Sequence, residues 1–198
     1  MTKSRMEAFS DGVIAVIITI MVLEMRAPHG ADVTALKPLI PVFLSYVMSF
    51  VYLAIYWNNH HHMLQAVHSV NGRILWANSH LLFWLSLVPL VTHWMGETHF
   101  AIWPVAVYGI VLLFSGVAYY ILARSLVAHH GPESTLAKAL GSDFKGKVSI
   151  VLYAIAIAVA FAAPWIAGAI YAAVAIMWII PDRRFERALV GDASARRE

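Results

Sequence analysis

The sequence predicts an all-α integral membrane bundle of six transmembrane helices, and three observations carry that prediction. Of its 198 residues, 61% are hydrophobic and only 13% charged, and the mean hydropathy is +0.71, more apolar surface than a soluble domain of this size hides in one core. Six apolar stretches approach the roughly 20 residues with which a helix crosses the hydrocarbon. The Lys and Arg residues between them fall almost wholly on one side once six spans are threaded.

The spans read as 6–25, 39–57, 74–94, 102–122, 148–162 and 165–180. The first follows Lys3 and Arg5 as a secretory leader would, but Glu7 and Asp11 interrupt it and no small-residue cleavage site follows Leu23, so it reads as a retained helix. The fifth and sixth are short and separated only by Pro164, so they read as a tight hairpin or as one kinked helix. The hairpin is preferred, because about 33 apolar residues in a row exceed what one tilted helix uses. Residues 123–147, punctuated by Gly131, Pro132 and Gly141, read as a cytoplasmic loop, and 181–198 as a charged tail. With no internal repeat, 1–198 reads as a single six-helix domain.

Lys3, Arg5, Arg73, Arg124, Lys138, Lys145, Lys147, Arg183, Arg184, Arg187, Arg196 and Arg197 share one side of this threading, against Arg26 and Lys37 on the other. The positive-inside rule then puts both termini in the cytoplasm of a chain spanning the cytoplasmic (inner) membrane. Trp57, Trp94, Trp103 and Trp165 sit at span ends as interfacial anchors. The basic pI therefore reflects topology, and no interleaved basic patch offers itself to nucleic acid. Without cysteine, disulfides and thiolate metal sites are excluded.

An ionisable residue inside a span is costly, which makes Asp11 in the first helix a functional candidate. Its surroundings read Arg5-Met6-Glu7-Ala8-Phe9-Ser10-Asp11-Gly12-Val13, with Thr19 eight positions beyond the Asp. Arg, three residues, then Phe-Ser-Asp resembles the first-helix signature of the transmembrane protein 175 family of potassium-permeable channels. The stretch containing Trp57, His60, His61, Asn71, Trp76, Asn78 and Pro89 is similar to that family's second-to-third helix region.

Helical geometry gives an independent reading of the same residues: at 100° per residue, Val16, Ile20 and Leu23 lie within about 60° on one face, with Asp11 about 140° and Ser10 about 120° from Val16 on opposite flanks. The apolar stripe would face its copies around a symmetry axis while the Ser-Asp side packs within the subunit. The resemblance implies a homotetramer whose pore is lined by four first helices, with Val16 as the innermost constriction, Ile20 and Leu23 as further rings, and Thr19 contributing to potassium preference. Such a constriction gates by dewetting. Arg5, Phe9, Ser10 and Asp11 would form a buried structural network completed by Trp76, Asn78 or His80. Arg5 also falls near the Val16 face, which leaves open a place at the cytoplasmic mouth.

No Thr-Val-Gly-Tyr-Gly filter or reentrant pore loop is present, since Val107-Tyr108-Gly109 is a fragment inside the fourth span, so selectivity among monovalent cations should be modest. A passive pore for K⁺ needs no cofactor. The run His60-His61-His62 cannot share one helix face as a metal site and reads as interfacial. His80 and His93 lack the second pair of ligands that stacked haems need. His29, His99, His129 and His130 read as solvated and able to make gating sensitive to pH. No nucleophile elbow or phosphate-binding glycine loop supports an enzyme. Two other readings remain: a proton-coupled secondary transporter using Asp11, against which the absence of paired halves counts, and a membrane metal enzyme using His60–His62.

Overall fold

The computed structural model describes residues 2–28, 30–141 and 143–179. The last residue of the expected sixth span, the charged tail 181–198 with its five arginines, and His29 lie outside the described residues.

The described chain is helical throughout its spans. Helix α1 covers Lys3–Leu23, and a 3-10 stretch, Val33–Leu39, runs directly into α2, Ile40–Gln65. Then come α3, Gly72–Ser86, and α4, Val88–Glu97. They are followed by α5, Ile102–His130, and the short α6, Thr135–Leu140. Helices α7, Phe144–Ala160, and α8, Pro164–Ile179, close the bundle. By length and apolarity Lys3–Leu23, Val33–Gln65, Gly72–Glu97 and Ile102–His130 can each cross a membrane, and α8 is a shorter apolar helix.

Local chemistry explains the boundaries. The carbonyl of Val159 accepts from Ala162 and Ala163 (3.0 and 2.8 Å), closing α7, and Pro164 opens α8, where its missing N–H costs nothing. The last two expected spans correspond to two helices joined by a tight turn, and they pack against each other.

The third span departs from its expected single helix over 74–94. It breaks at Leu87, because Pro89 cannot donate to residue 85 and its ring crowds that carbonyl. The expected loop 123–147 is also corrected. Helix α5 continues to His130, and α6 follows with Ser134 as its N-cap, the hydroxyl accepting from Ala137 N–H at 3.2 Å. The continuation is amphipathic: Leu122, Ala123 and Leu126 are buried, and so are Leu136 and Ala139 of α6. Average hydropathy falls there while one face stays apolar. Gly131 and Gly141 end α5 and α6 with φ of 89° and 51°. Likewise α2 outlasts its expected end at 57, burying His60, Met63 and Leu64.

Buried hydroxyls tie the bundle together. Thr92 gives its proton to Val88 O (2.6 Å), so Ser49 donates to Thr92 (2.6 Å) and Tyr108 to Ser49 (3.0 Å), joining α2, α4 and α5. Tyr52 donates to Tyr171 O (2.6 Å) and Tyr171 to Val105 O (3.2 Å), which holds α8. Helices α2 and α4 approach so closely at Gly96 that a Cβ there would lie 2.6 Å from both Val42 Cα and Ser45 Oγ.

Gly96→Ala is expected to lower stability by about 1–3 kcal/mol, since backbone must give way, whereas Gly168→Ala, whose Cβ meets nothing within 4 Å, should stay within about 0.5 kcal/mol. Unfolding of both variants in detergent checks the contrast.

Candidate functional site

Helix α1 has two unlike faces. Met6, Ser10, Ile14, Ile17 and Met21, spaced four, four, three and four residues apart, are buried against the rest of the chain. They seat α1 on α2, α3 and α4. On the other side Phe9, Val16, Ile20 and Leu23 are 56%, 55%, 41% and 80% exposed. Among the described residues no other helix covers this apolar strip. It borders an open groove whose far wall is Ser86, Pro89 and Leu90, where α3 gives way to α4.

The three expected constriction residues therefore share the uncovered face, with Thr19 exposed beside them. The Thr19 hydroxyl lies 2.9 Å from Val16 O and 3.1 Å from Ala15 O, so its proton is engaged on the backbone. Only its lone pairs are left to face outward, a disposition suited to a cation. Gly12 lies in the same strip, and a Cβ there would meet nothing within 4 Å.

Behind the strip a relay of hydrogen bonds sets the rotation of α1. Ser10 Oγ donates to Met6 O (2.8 Å) and accepts from Asn78 Nδ2 (2.9 Å). Asn78 Oδ1 accepts from His60 Nε2 (2.8 Å), which fixes a proton on that nitrogen. Ser10, Asn78 and His60 are all at most 2% exposed. Three helices are thus joined through uncharged groups.

The other expected members of this network lie elsewhere. Asp11 was expected to be buried; it is exposed and accepts from Trp57 Nε1 at 2.9 Å. The reason is angular: one residue past Ser10 turns the carboxylate about 100° away from the buried centre. Trp76 is 79% exposed, and His80 accepts from Trp84 Nε1 (2.9 Å) one turn along its own helix. Arg5 is exposed and forms no ion pair among the described residues. Phe9 belongs to the uncovered strip. The structure thus brings Ser10 and Asn78 together and leaves the rest apart.

Two partners escaped sequence reading. His60 reads as interfacial because it opens a histidine run, yet its spacing from Leu53 and Met63 on the buried face of α2 marks it as internal. Trp57 reads as a membrane anchor and turns out to hold Asp11. His129, expected to be solvated, is exposed, and His130 is half-buried; both also brace the α2–α3 connection: His129 bonds Ser69 Oγ (3.1 Å) and Asn71 Nδ2 (3.3 Å), and His130 Nε2 accepts from Ser69 N–H (3.5 Å). Among the described residues no group of three or more His, Asp or Glu could hold a metal ion.

Comparison with known proteins places these features in context. A family profile described as "Endosomal/lysosomal potassium channel TMEM175" matches residues 5–89. A potassium channel of Chryseobacterium sp. (strain P1-3) is 54% identical over 189 residues, covering 96% of this chain and 98% of that protein. The crystal structure of a lysosomal potassium-selective channel TMEM175 homolog from Chamaesiphon minutus superposes with a TM-score of 0.79 at 26% identity, covering 91% of this chain and 97% of that one. The human endosomal/lysosomal proton channel TMEM175 is 29% identical over 102 residues, 46% of this chain and 20% of that protein.

Replacing Asn78 with Ala breaks two buried interhelical bonds and should cost about 1–3 kcal/mol, while Trp57→Phe removes one exposed bond and should cost less than about 1 kcal/mol. Equilibrium unfolding in detergent ranks the two.

Proposed function

The chain belongs to the TMEM175 family, and on that footing we propose a potassium-permeable cation channel in which α1 of four identical subunits surrounds the conduction axis. It is a multi-pass membrane channel and not an enzyme; K⁺ is its permeant ion and no cofactor takes part. The observation that carries the pore assignment is the uncovered apolar strip of α1. A helix held so firmly on one side by Ser10, Asn78 and His60 presents Val16, Ile20 and Leu23 outward in a fixed orientation. Four such strips around an axis make stacked apolar rings, with Val16 innermost.

Conduction through rings of this kind depends on water. A narrow apolar constriction empties of water and blocks ions, and a small splaying of the helices readmits both. Beside the rings, Thr19 supplies oxygen lone pairs to a partly dehydrated cation. A single hydroxyl per subunit supports a modest preference for K⁺ over other monovalent cations, in contrast to the cage of carbonyls in a dedicated filter. Arg5, on nearly the same azimuth as Val16, stands at the end of α1 from which ions approach on the N-terminal side.

Both termini are placed in the cytoplasm, across the inner membrane, on the distribution of Lys and Arg, and one contact of the described residues fits that threading. Hydrogen bonds from His129 and His130 to Ser69 and Asn71 bring the end of α5 beside the α2–α3 connection. That gathers Arg73 and Arg124 at one end of the bundle, as an odd-even threading with a positive cytoplasmic side requires. The transporter reading is not favoured. Asp11, on which it depended, is an exposed acceptor for Trp57 rather than a carboxylate in a midplane cavity.

In liposomes with a K⁺ gradient, the purified protein should give a non-saturating flux and a reversal potential displaced toward that of K⁺. Val16→Asn hydrates the innermost ring and should raise resting K⁺ flux about tenfold, the effect of lowering a barrier by roughly 1.4 kcal/mol. An unchanged flux and ion preference in that variant would remove Val16 from the pore.

A further inference from the structure

Glu24 follows Leu23 directly and caps the C-terminal end of α1, its N–H donating to Ile20 O at 3.1 Å. Its side chain borders two spaces at once. On one side lies the open groove along Phe9, Val16 and Ile20. On the other is a small cavity of about 10 Å³, room for about one water-sized sphere, between α1, α2 and α4, shared with His93, Ser45, Tyr46 and Thr92. Glu24 Oε2 is buried with no hydrogen-bond partner, and Nδ1 of His93 is buried in the same condition.

Little around this carboxylate supplies positive charge. A helix C-terminus carries the negative end of the macrodipole, which opposes an anion there. No ion pair reaches Glu24 among the described residues, and Arg26, two residues on, is exposed. The nearby hydroxyls have spent their protons: Ser45 donates to Val42 O (2.8 Å) and Thr92 to Val88 O (2.6 Å). Lining the cavity are the carboxylate, two hydroxyl oxygens whose protons are engaged elsewhere, the unpartnered Nδ1 of His93 and the Tyr46 phenol. Oxygen-rich sites of this character take hard cations. The uncompensated charge stands at the end of the very helix assigned to the pore.

We propose that Glu24 binds a monovalent cation just beyond the Leu23 ring, with His93 Nδ1 facing it across the cavity, and that the four copies concentrate K⁺ at that mouth of the channel. The inference rests on the α1-lined pore proposed above. The missing counter-charge is then the permeant ion itself, held loosely enough to leave because the site is half open to the groove. Rings of carboxylates favour cations and raise their local concentration most when bulk salt is low.

Single-channel recording of the reconstituted full-length protein tests this. At about 20 mM K⁺, Glu24→Gln should reduce conductance about threefold or more, and the deficit should shrink steadily toward about 500 mM, where screening is strong and sites fill from bulk. Glu24→Asp, which keeps the charge, should recover most of the low-salt conductance, a rescue that a packing role would not give. Equal conductance of Glu24→Gln and the unaltered channel at low K⁺, or a deficit of the same size at every concentration, overturns the proposal while the pore stands. Absence of K⁺ conductance in the unaltered protein brings down the pore and this site together.

Discussion

The rotational setting of α1 is the constraint on which the rest depends. A helix whose outer half is apolar could turn freely against a greasy bundle, since packing alone discriminates weakly between azimuths in a membrane. Ser10, Asn78 and His60 remove that freedom, because a turn of the helix would leave the Asn78 N–H buried without Ser10 Oγ, while His60 holds Asn78 in place. The relay is neutral throughout. A neutral relay avoids the desolvation cost that a buried ion pair would carry, and it leaves Asp11 at the periphery with Trp57.

Two layers of organisation follow from this setting. The inner layer is the hydroxyl cluster of Ser49, Thr92, Tyr108, Tyr52 and Tyr171, which welds α2, α4, α5 and α8 into a rigid support. The outer layer is α1 and the groove beside it, where the chain leaves apolar surface uncovered. Rigid support behind and uncovered apolar surface in front suits the proposed symmetric pore, in which copies of the same strip would face one another.

Much of this was legible in the residues. Hydropathy found the apolar helices, and a 100° wheel separated Val16, Ile20 and Leu23 from Ser10, because both signals depend on period and composition alone. What was not legible depends on which faces meet. Asp11 reads as buried since charges in spans usually are, but its neighbour Ser10 takes the inward position. Trp76 and His80 stand close to Asn78 in sequence, and only Asn78 points at α1. The extension of α5 to His130 and the helix at Thr135–Leu140 were hidden because averaged polarity masks a single apolar face. The break at Leu87 could have been suspected from Pro89.

The short α7 has a consequence for the lipid around it. Its 17 residues rise only about 25 Å along the axis, less than the roughly 30 Å of a typical hydrocarbon slab, and two lysines occupy its first turn. A helix of that length matches a hydrocarbon slab only if acyl chains beside it compress or the subunit tips. Bilayer thickness thereby becomes a mechanical load on one flank of each subunit, and membranes of different chain length press on the same protein with different force.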